Sequence, residues 1–401
     1  MPFRRSLFAA WSLSLSLLAA SAAWGQSQAT RPAALPGARN VVDAAQFPTL
    51  QAALDALPAA GGVVRLPPGK FEISEPLLLT TEDVLIEGAG PSTHIVNTNT
   101  QGKPALVIRP KDLARNPKAK LWRIQLSNFR LTGNEHSGHG IDATGINEIF
   151  IDGLTVSYHG GDGIRLDNCP EDPRVCHSLI TYNKQTGLTL LGNHDIVVAA
   201  NHFEENLDAL HCFDGFNLCM TGNNIDDHLR DGVVIENTYG SVLSGNMIEE
   251  CKGRGVVLDR DAYGITLSAN VIAHHQQGGI DLRDAHGCTV SANTFVLVRQ
   301  RALAIGPDSS RITVTGNTFT NDEIGGKRKL VKPEPSSGIV LEGTSDLTIA
   351  GNTFTGLETK ALELVGQPTR RVNFSGNVLV GVASDQDRLV ESHVAGNVQT
   401  D

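Results

Sequence analysis

Aromatic and sulfur-bearing side chains are scarce in this chain. Its 401 residues include 3 Trp, 4 Tyr, 13 Phe and 3 Met. With 41 Gly alongside, that composition does not suit a helical protein; the many Val, Ile, Thr, Asn and Asp suit short strands joined by tight turns. Basic charge is short as well. Lys and Arg number 33 against 43 Asp and Glu, a net charge of −10, so no global basic field exists for nucleic acid. Beyond the first 25 residues no apolar run is long enough to span a bilayer. No Cys-x-x-Cys pair occurs among the six cysteines, which argues against a zinc site.

The N-terminus has the pattern of a signal peptide. Arg4 and Arg5 give a positive start, Leu7 to Ala22 an apolar stretch, and Ala23-Trp24-Gly25 a cleavage site near Gly25. The expected product is secreted or periplasmic, with residues 26–40 as a flexible leader. In an oxidising compartment Cys169 and Cys176, which flank Pro-Glu-Asp-Pro-Arg-Val, could be joined as a disulfide. Cys212 and Cys288 fall at inward positions and read as buried apolar residues; Cys219 and Cys251 sit at other phases.

What the chain does have is one sentence written many times. Asp231-Gly-Val-Val-Ile-Glu236 leads to Ser244-Gly-Asn-Met-Ile248, Arg254-Gly-Val-Val-Leu-Asp259 to Ser268-Ala-Asn-Val-Ile272, and Gly278-Gly-Ile-Asp-Leu-Arg283 to Ser291-Ala-Asn-Thr-Phe295. A period of 22 to 24 residues is the signature of a solenoid whose units bury their apolar faces only against neighbours. The recurring Asn at 201, 223, 246, 270, 293, 317, 352 and 377 is expected to form a hydrogen-bonded ladder along the axis. The Gly of the Gly-Ile-x-Leu element is expected at an unusual backbone angle or a close approach. Asn317 to Asn352 spans 35 residues, so 321–337 reads as a protruding loop, made locally basic by Lys327, Arg328, Lys329 and Lys332.

Ahead of the repeats, Thr49 is a plausible N-cap for a helix Leu50–Leu57 with one apolar stripe, stopped by Pro58. The run Asp43, Gln51-Ala52-Ala53, Asp55-Ala56, Gly61-Gly62, Val64, Pro67, Gly69 and Phe71 resembles the N-terminal cap of the pectate-lyase-like parallel β-helix superfamily. The later motifs resemble that superfamily's parallel β-helix repeats. The resemblance implies an all-β fold: a single-stranded right-handed parallel β-helix of roughly a dozen coils. Residues 41–83 would then hold the capping helix and first strands, and residues 84–399 the repeats. The superfamily includes pectate lyases, alginate lyases, uronate epimerases and polygalacturonase-like hydrolases. The Asp-Pro-His-Asp of alginate epimerases is matched only at Asp281 and Asp284 of one strand, and only at Asp214 of another. Candidate residues therefore rest on position and chemistry.

In each Gly-Ile-x-Leu-x strand the x positions point outward, because side chains alternate. Stacking the coils lines them up about 4.8 Å apart. One column runs Asp142, Arg165, Thr189, His211, Val234, Val257, Asp281, Ala304; the next runs Asp167, Leu191, Phe213, Glu236, Asp259, Arg283. Charge gathers in the middle coils, and a long face of Asp, Arg, His and exposed Phe213 suits an extended, acidic polysaccharide. Proton abstraction at C5 of a uronate needs carboxylate neutralisation, a base and an acid. Arg254, Arg283 or Arg165 would supply the first, and His211 is the candidate base. Asp208 or Asp231 would orient it. Arg165, Asp208, Phe213, Asp259 and Asp281, with Lys327 and Arg328 of the loop, would bind substrate. The reaction would be that of a β-eliminating lyase or an epimerase. A non-catalytic polysaccharide-binding β-helix and a glycoside hydrolase with paired Asp (Asp231 with Asp208, or Asp259 with Asp281) are the alternatives. No cofactor is required; Asp167, Asp208 and Glu236 would allow Ca2+ without indicating it.

Overall fold

The computed structural model describes residues 35–322 and 335–400, and Arg39–Asp401 form one compact unit. It is a β-solenoid in which every sheet pairing is parallel. Each coil contributes one strand to each of three long sheets. In the middle of the molecule, for example, Cys219–Thr221 is followed by Asn224–Asp226 and then Val233–Glu236. The sheets have seventeen, fourteen and thirteen strands. Two of the seventeen, Ala262–Tyr263 and Ala285–His286, are corner strands, so that sheet stacks fifteen coils, somewhat more than the dozen expected.

The core is the stack of inward residues. In Val233–Glu236 the residues Val233 and Ile235 are fully buried while Val234 and Glu236 are partly exposed. The same alternation runs through Leu210–Phe213, but in Arg254–Asp259 and Gly278–Leu282 the outward-column residues Val257 and Asp281 are buried as well; Cys212 and Cys288 are among the buried apolar residues. A file of phenylalanines, Phe295, Phe319 and Phe354, stacks inside with centroids 4.6 and 4.7 Å apart.

The Asn ladder forms as expected. Asn246 Nδ2 donates to Asn270 Oδ1 at 2.9 Å and to Met220 O at 3.1 Å, while its own Oδ1 accepts from the Asn223 backbone N–H at 3.0 Å. The pattern runs unbroken from Asn201 to Asn397, across the long excursion after Asn317. The residue before each ladder Asn turns into the left-handed region, with φ 68° at Gly245 and 54° at Ala269. The Gly of the Gly-Ile-x-Leu element has a different reason. At Gly232 a Cβ would lie 2.5 Å from Gly255 O, so close approach of successive coils fixes it.

Thr49 Oγ1 accepts from Ala52 N and begins a helix Leu50–Asp55, two residues shorter than expected. Its Leu50, Ala53 and Leu54 are buried and join the apolar core. The proposed Cys169–Cys176 bridge is absent: both thiols are free and buried. Cys169 sits at an inner corner with Sγ 3.6 Å from Asp167 O, whereas Cys176 belongs to the strand Arg174–Cys176. The signal-peptide segment, most of the leader, and Lys327 and Arg328 lie outside the described residues.

Candidate functional site

The outward columns on the thirteen-stranded sheet are in register. Asp142 pairs with Arg165, Arg165 with Thr189, Thr189 with His211 and His211 with Val234; Val234 pairs with Val257 and Val257 with Asp281. Alongside them Asp167, Leu191, Phe213, Glu236 and Asp259 form the second column. Strand alternation and coil stacking are sufficient to build this face.

His211 Nε2 lies 3.0 Å from Glu236 Oε2. The orienting carboxylate is therefore Glu236, one coil on and one column over, rather than Asp208 or Asp231. Diagonal neighbours on adjacent strands are within reach of long side chains, and Glu is one methylene longer than Asp. Glu236 Oε1 is also 3.3 Å from Arg260 Nε, and the Arg260 guanidinium stands 6.0 Å from the centroid of the Phe213 ring. Among the described residues His211 Nδ1 has no hydrogen-bond partner, so a carboxylate on Nε2–H leaves the Nδ1 lone pair outward.

The turn carboxylates do other work. Asp208 is fully buried; it accepts from the backbone N–H of Asp231 at 2.9 Å and is gripped by Arg230 through Nε and Nη2. Asp231 accepts from Arg254 N at 2.7 Å, and Asp162 from Thr186 N at 3.1 Å. These acids tie each turn to the next. Burial raises the Asp162 carboxyl above its ordinary range, against the pull of His139.

The arginines expected to meet a substrate carboxylate already bridge acids of the protein. Arg165 spans Asp142 at 3.1 Å and Asp167 at 2.6 Å. Arg254 has Nε 2.8 Å from Asp281, off the N–H direction so that no hydrogen bond forms, and Nη1 3.9 Å from Asp231. Arg283 reaches Asp281 at 3.0 Å and Asp259 at 3.4 Å. Burial opposes the charge on Arg283, but hydrogen bonds and charge from Asp281 and Asp259 outweigh it and raise its pKa. Asp281 is thus shared by two guanidinium groups. Asp167, Asp208 and Glu236 each belong to a different cation. Among the described residues the carboxylates that gather within ligand distance are Asp226, Asp227 and Glu250, which begin at the end of Asn224–Asp226 on the fourteen-stranded sheet.

Sequence reasoning missed the role of Glu236, which it offered only as a metal ligand, and of Arg260. The column alignment held the signal, since it places Glu236 diagonally beside His211. It also missed a second outward file at the corner after this sheet, where His194, Phe216, Tyr239 and Tyr263 pair in register and His286 follows.

The family model for a right-handed β-helix region matches residues 116–271 and again 209–379. No curated protein matches the sequence. Among solved structures, the A-module of mannuronan C-5 epimerase AlgE6 from Azotobacter vinelandii is similar at 17% identity, covering 90% of this chain and 99% of that one with a TM-score of 0.61. The periplasmic alginate epimerase AlgG is similar at 13% identity, with 90% and 84% covered and a TM-score of 0.57. The catalytic unit of a GH87 alpha-1,3-glucanase from Streptomyces thermodiastaticus strain HF3-3 matches at 16% identity, with 93% and 70% covered and a TM-score of 0.54. At these identities the likeness is one of fold.

Proposed function

The chain belongs to the right-handed β-helix family, and from that premise we propose that it acts on an extended polysaccharide laid along the outward face of the thirteen-stranded sheet. The reaction is C5 proton abstraction from a uronate unit, as a β-eliminating lyase or an epimerase. One observation carries this reading: His211 is fixed by Glu236 with Nδ1 outward, beside the partly buried Phe213 ring and the Arg260 guanidinium. In this scheme Nδ1 takes the C5 proton and Glu236 stabilises the imidazolium that results; in a lyase the C4–O bond then breaks and the imidazolium returns the proton to the departing O4, and in an epimerase water protonates C5 from the opposite face. Arg260 holds the substrate carboxylate as negative charge spreads into it, because its side chain is 64% exposed and meets one carboxylate only. Asp231, Arg254, Asp281, Arg283 and Asp259 continue the face as an ionic row of three acids and two bases, and Arg165 with its two acids ends it. A mannuronan C-5 epimerase, an alginate epimerase and a glucanase with this fold support a carbohydrate substrate. Export past a signal peptide and contact of Lys327 and Arg328 with the polymer belong to the same proposal; no cofactor is required in it, and Asp167, Asp208 and Glu236 are each engaged by a different cation.

A binding role without chemistry is favoured by a different observation, namely that Arg165, Arg254 and Arg283 are each held between two acids of the protein. The test is incubation with pectate, alginate, glycosaminoglycan-like and sulfated algal polymers, with and without calcium. Ultraviolet absorbance of an unsaturated uronate marks a lyase, and altered proton NMR without cleavage marks an epimerase. New reducing ends without absorbance mark a hydrolase, for which Asp259 and Asp281 on Arg283 are the pair to replace. Binding with no change in any polymer would sink the enzyme reading for those substrates.

A further inference from the structure

All four tyrosines of this chain lie in outward stacked pairs, Tyr158 with Tyr182 and Tyr239 with Tyr263. The second pair continues a longer file at the corner that follows the candidate face. His194, Phe216, Tyr239 and Tyr263 occupy successive coils with ring centroids 4.7, 5.8 and 5.5 Å apart. Phe216, Tyr239 and Tyr263 are 40%, 49% and 44% exposed. In a protein so poor in aromatics, three neighbouring half-exposed rings are a costly arrangement if nothing covers them.

Their geometry leaves room for a ligand. Tyr239 and Tyr263 are parallel within 4°, yet their centroids are 5.5 Å apart. Carbon atoms in contact sit at about 3.5–4.0 Å, so the rings are slipped like tiles, and each keeps part of one face uncovered. Phe216 is tilted 57° to Tyr239 and does not close the row. Tyr263 leans over the next coil, where a Cβ on Gly287 would lie 3.4 Å from its ring.

Beside the rings runs a furrow of about 270 Å³ whose polar wall is Asp214, Asn237, Thr238 and Asp261. Asn237 Nδ2 donates to Asp214 at 3.2 Å and Asp261 N to Asp284 at 2.8 Å, which leaves carboxylate oxygens of that wall free to accept from hydroxyl groups. Among the described residues no Lys or Arg lines the furrow. The wall therefore repels a polyanion. Aromatic and hydrogen-bonding groups repeat together once per coil, about 4.8 Å, as the apolar ring faces and hydroxyl groups of a pyranose chain do.

We propose that this corner furrow is a binding site for an uncharged, hydroxyl-rich polysaccharide running parallel to the solenoid axis. Its pyranose faces lie on Phe216, Tyr239 and Tyr263, and its hydroxyls donate to Asp214 and Asp261. The furrow adjoins the His211 face, because Asp214, Asn237 and Asp261 directly follow Phe213, Glu236 and Arg260 in the chain, but its rings and polar wall are other residues and need no chemistry at His211.

The test is affinity electrophoresis of the full chain in gels containing hydroxyethylcellulose, dextran, galactomannan or alginate, with circular dichroism to confirm folding. The wild type should be retarded by at least one neutral polymer. Tyr239→Ala with Tyr263→Ala should weaken that binding by roughly tenfold or more, Asp214→Asn should weaken it less, and Tyr158→Ala, which removes an exposed ring of the other stacked pair, should leave it unchanged. Lack of retardation in every neutral polymer would overturn the proposal. So would a folded double variant that binds like the wild type. Retardation by alginate alone, lost in the double variant, would overturn the charge argument.

Discussion

Three histidines, His159, His228 and His275, are fully buried at one inner corner of the solenoid, where other coils carry Asn183, Asn206 and Cys251. Burial lowers their pKa to about 4, about 4 and about 3. His275 shows why the neutral form is required: its Nδ1 accepts from the Cys251 backbone N–H at 3.3 Å while Nε2 faces Ile248 O at 3.1 Å. A second proton would set N–H against N–H. The unfolded chain takes up protons near the ordinary value of 6.5, which the folded chain refuses until far lower pH. Between those values the unfolded state binds more protons, so stability is complete above about pH 6.5 and falls as pH drops through the window. At about 1.4 kcal/mol per pH unit and per group, lowering pH from 7 to 5 should remove about 2 kcal/mol for each histidine. The clean variant is His275→Asn. At the equivalent corner Asn206 Oδ1 accepts from Asn183 N at 3.0 Å and its Nδ2 donates to Ile180 O at 2.9 Å, so Asn reproduces both bonds without titrating. Urea denaturation at pH 7 and pH 5 measures the effect. Wild type should lose about 2 kcal/mol more than the variant over that interval. Parallel losses would refute the reasoning, whatever the variant's stability at pH 7.

The other predictions concern the site and the stack. If the candidate face is catalytic, His211→Ala should abolish turnover of a responsive polymer and Glu236→Gln should lower it by roughly a hundredfold; unchanged turnover in the first variant means the wrong base was chosen. Asn246→Ala leaves the buried Asn223 N–H without an acceptor and should cost about 2–3 kcal/mol, seen as faster hydrogen exchange at Asn223 and neighbouring ladder amides. Phe319→Ala opens a cavity between Phe295 and Phe354 and should cost about 3–5 kcal/mol in the same denaturation assay. Leu54→Asp should loosen the helix Leu50–Asp55 from the first coils and increase proteolysis there, while the middle coils stay protected because solenoid units contact only their neighbours.

Much of the fold could be read from the sequence because a solenoid repeats one local rule. Inward Val, Ile and Leu, the Asn ladder and the outward columns follow from a period near 23 and from alternation within each strand. What the period could not give was the direction of each carboxylate. Asp208 and His211 are three residues apart, yet one is sealed inside against Arg230 and the next turn's N–H while the other stands outward on Glu236. The disulfide failed for a related reason: closeness in sequence around a loop does not place two thiols at the same corner.

The corner file of aromatics escaped for another. Asp259 and Tyr263 are separated by one residue more than Glu236 and Tyr239, the extra residue falling where Arg260 and Asp261 both take positive φ. Counting from the strands therefore puts the rings out of phase, and only the folded turns bring them back into line. The sequence by itself determined the coil, its core and which residues share a column, since those depend on local period and side-chain alternation. The tertiary structure alone decided which charges meet and which rings stack, because those depend on side-chain reach between coils and on turns of unequal length.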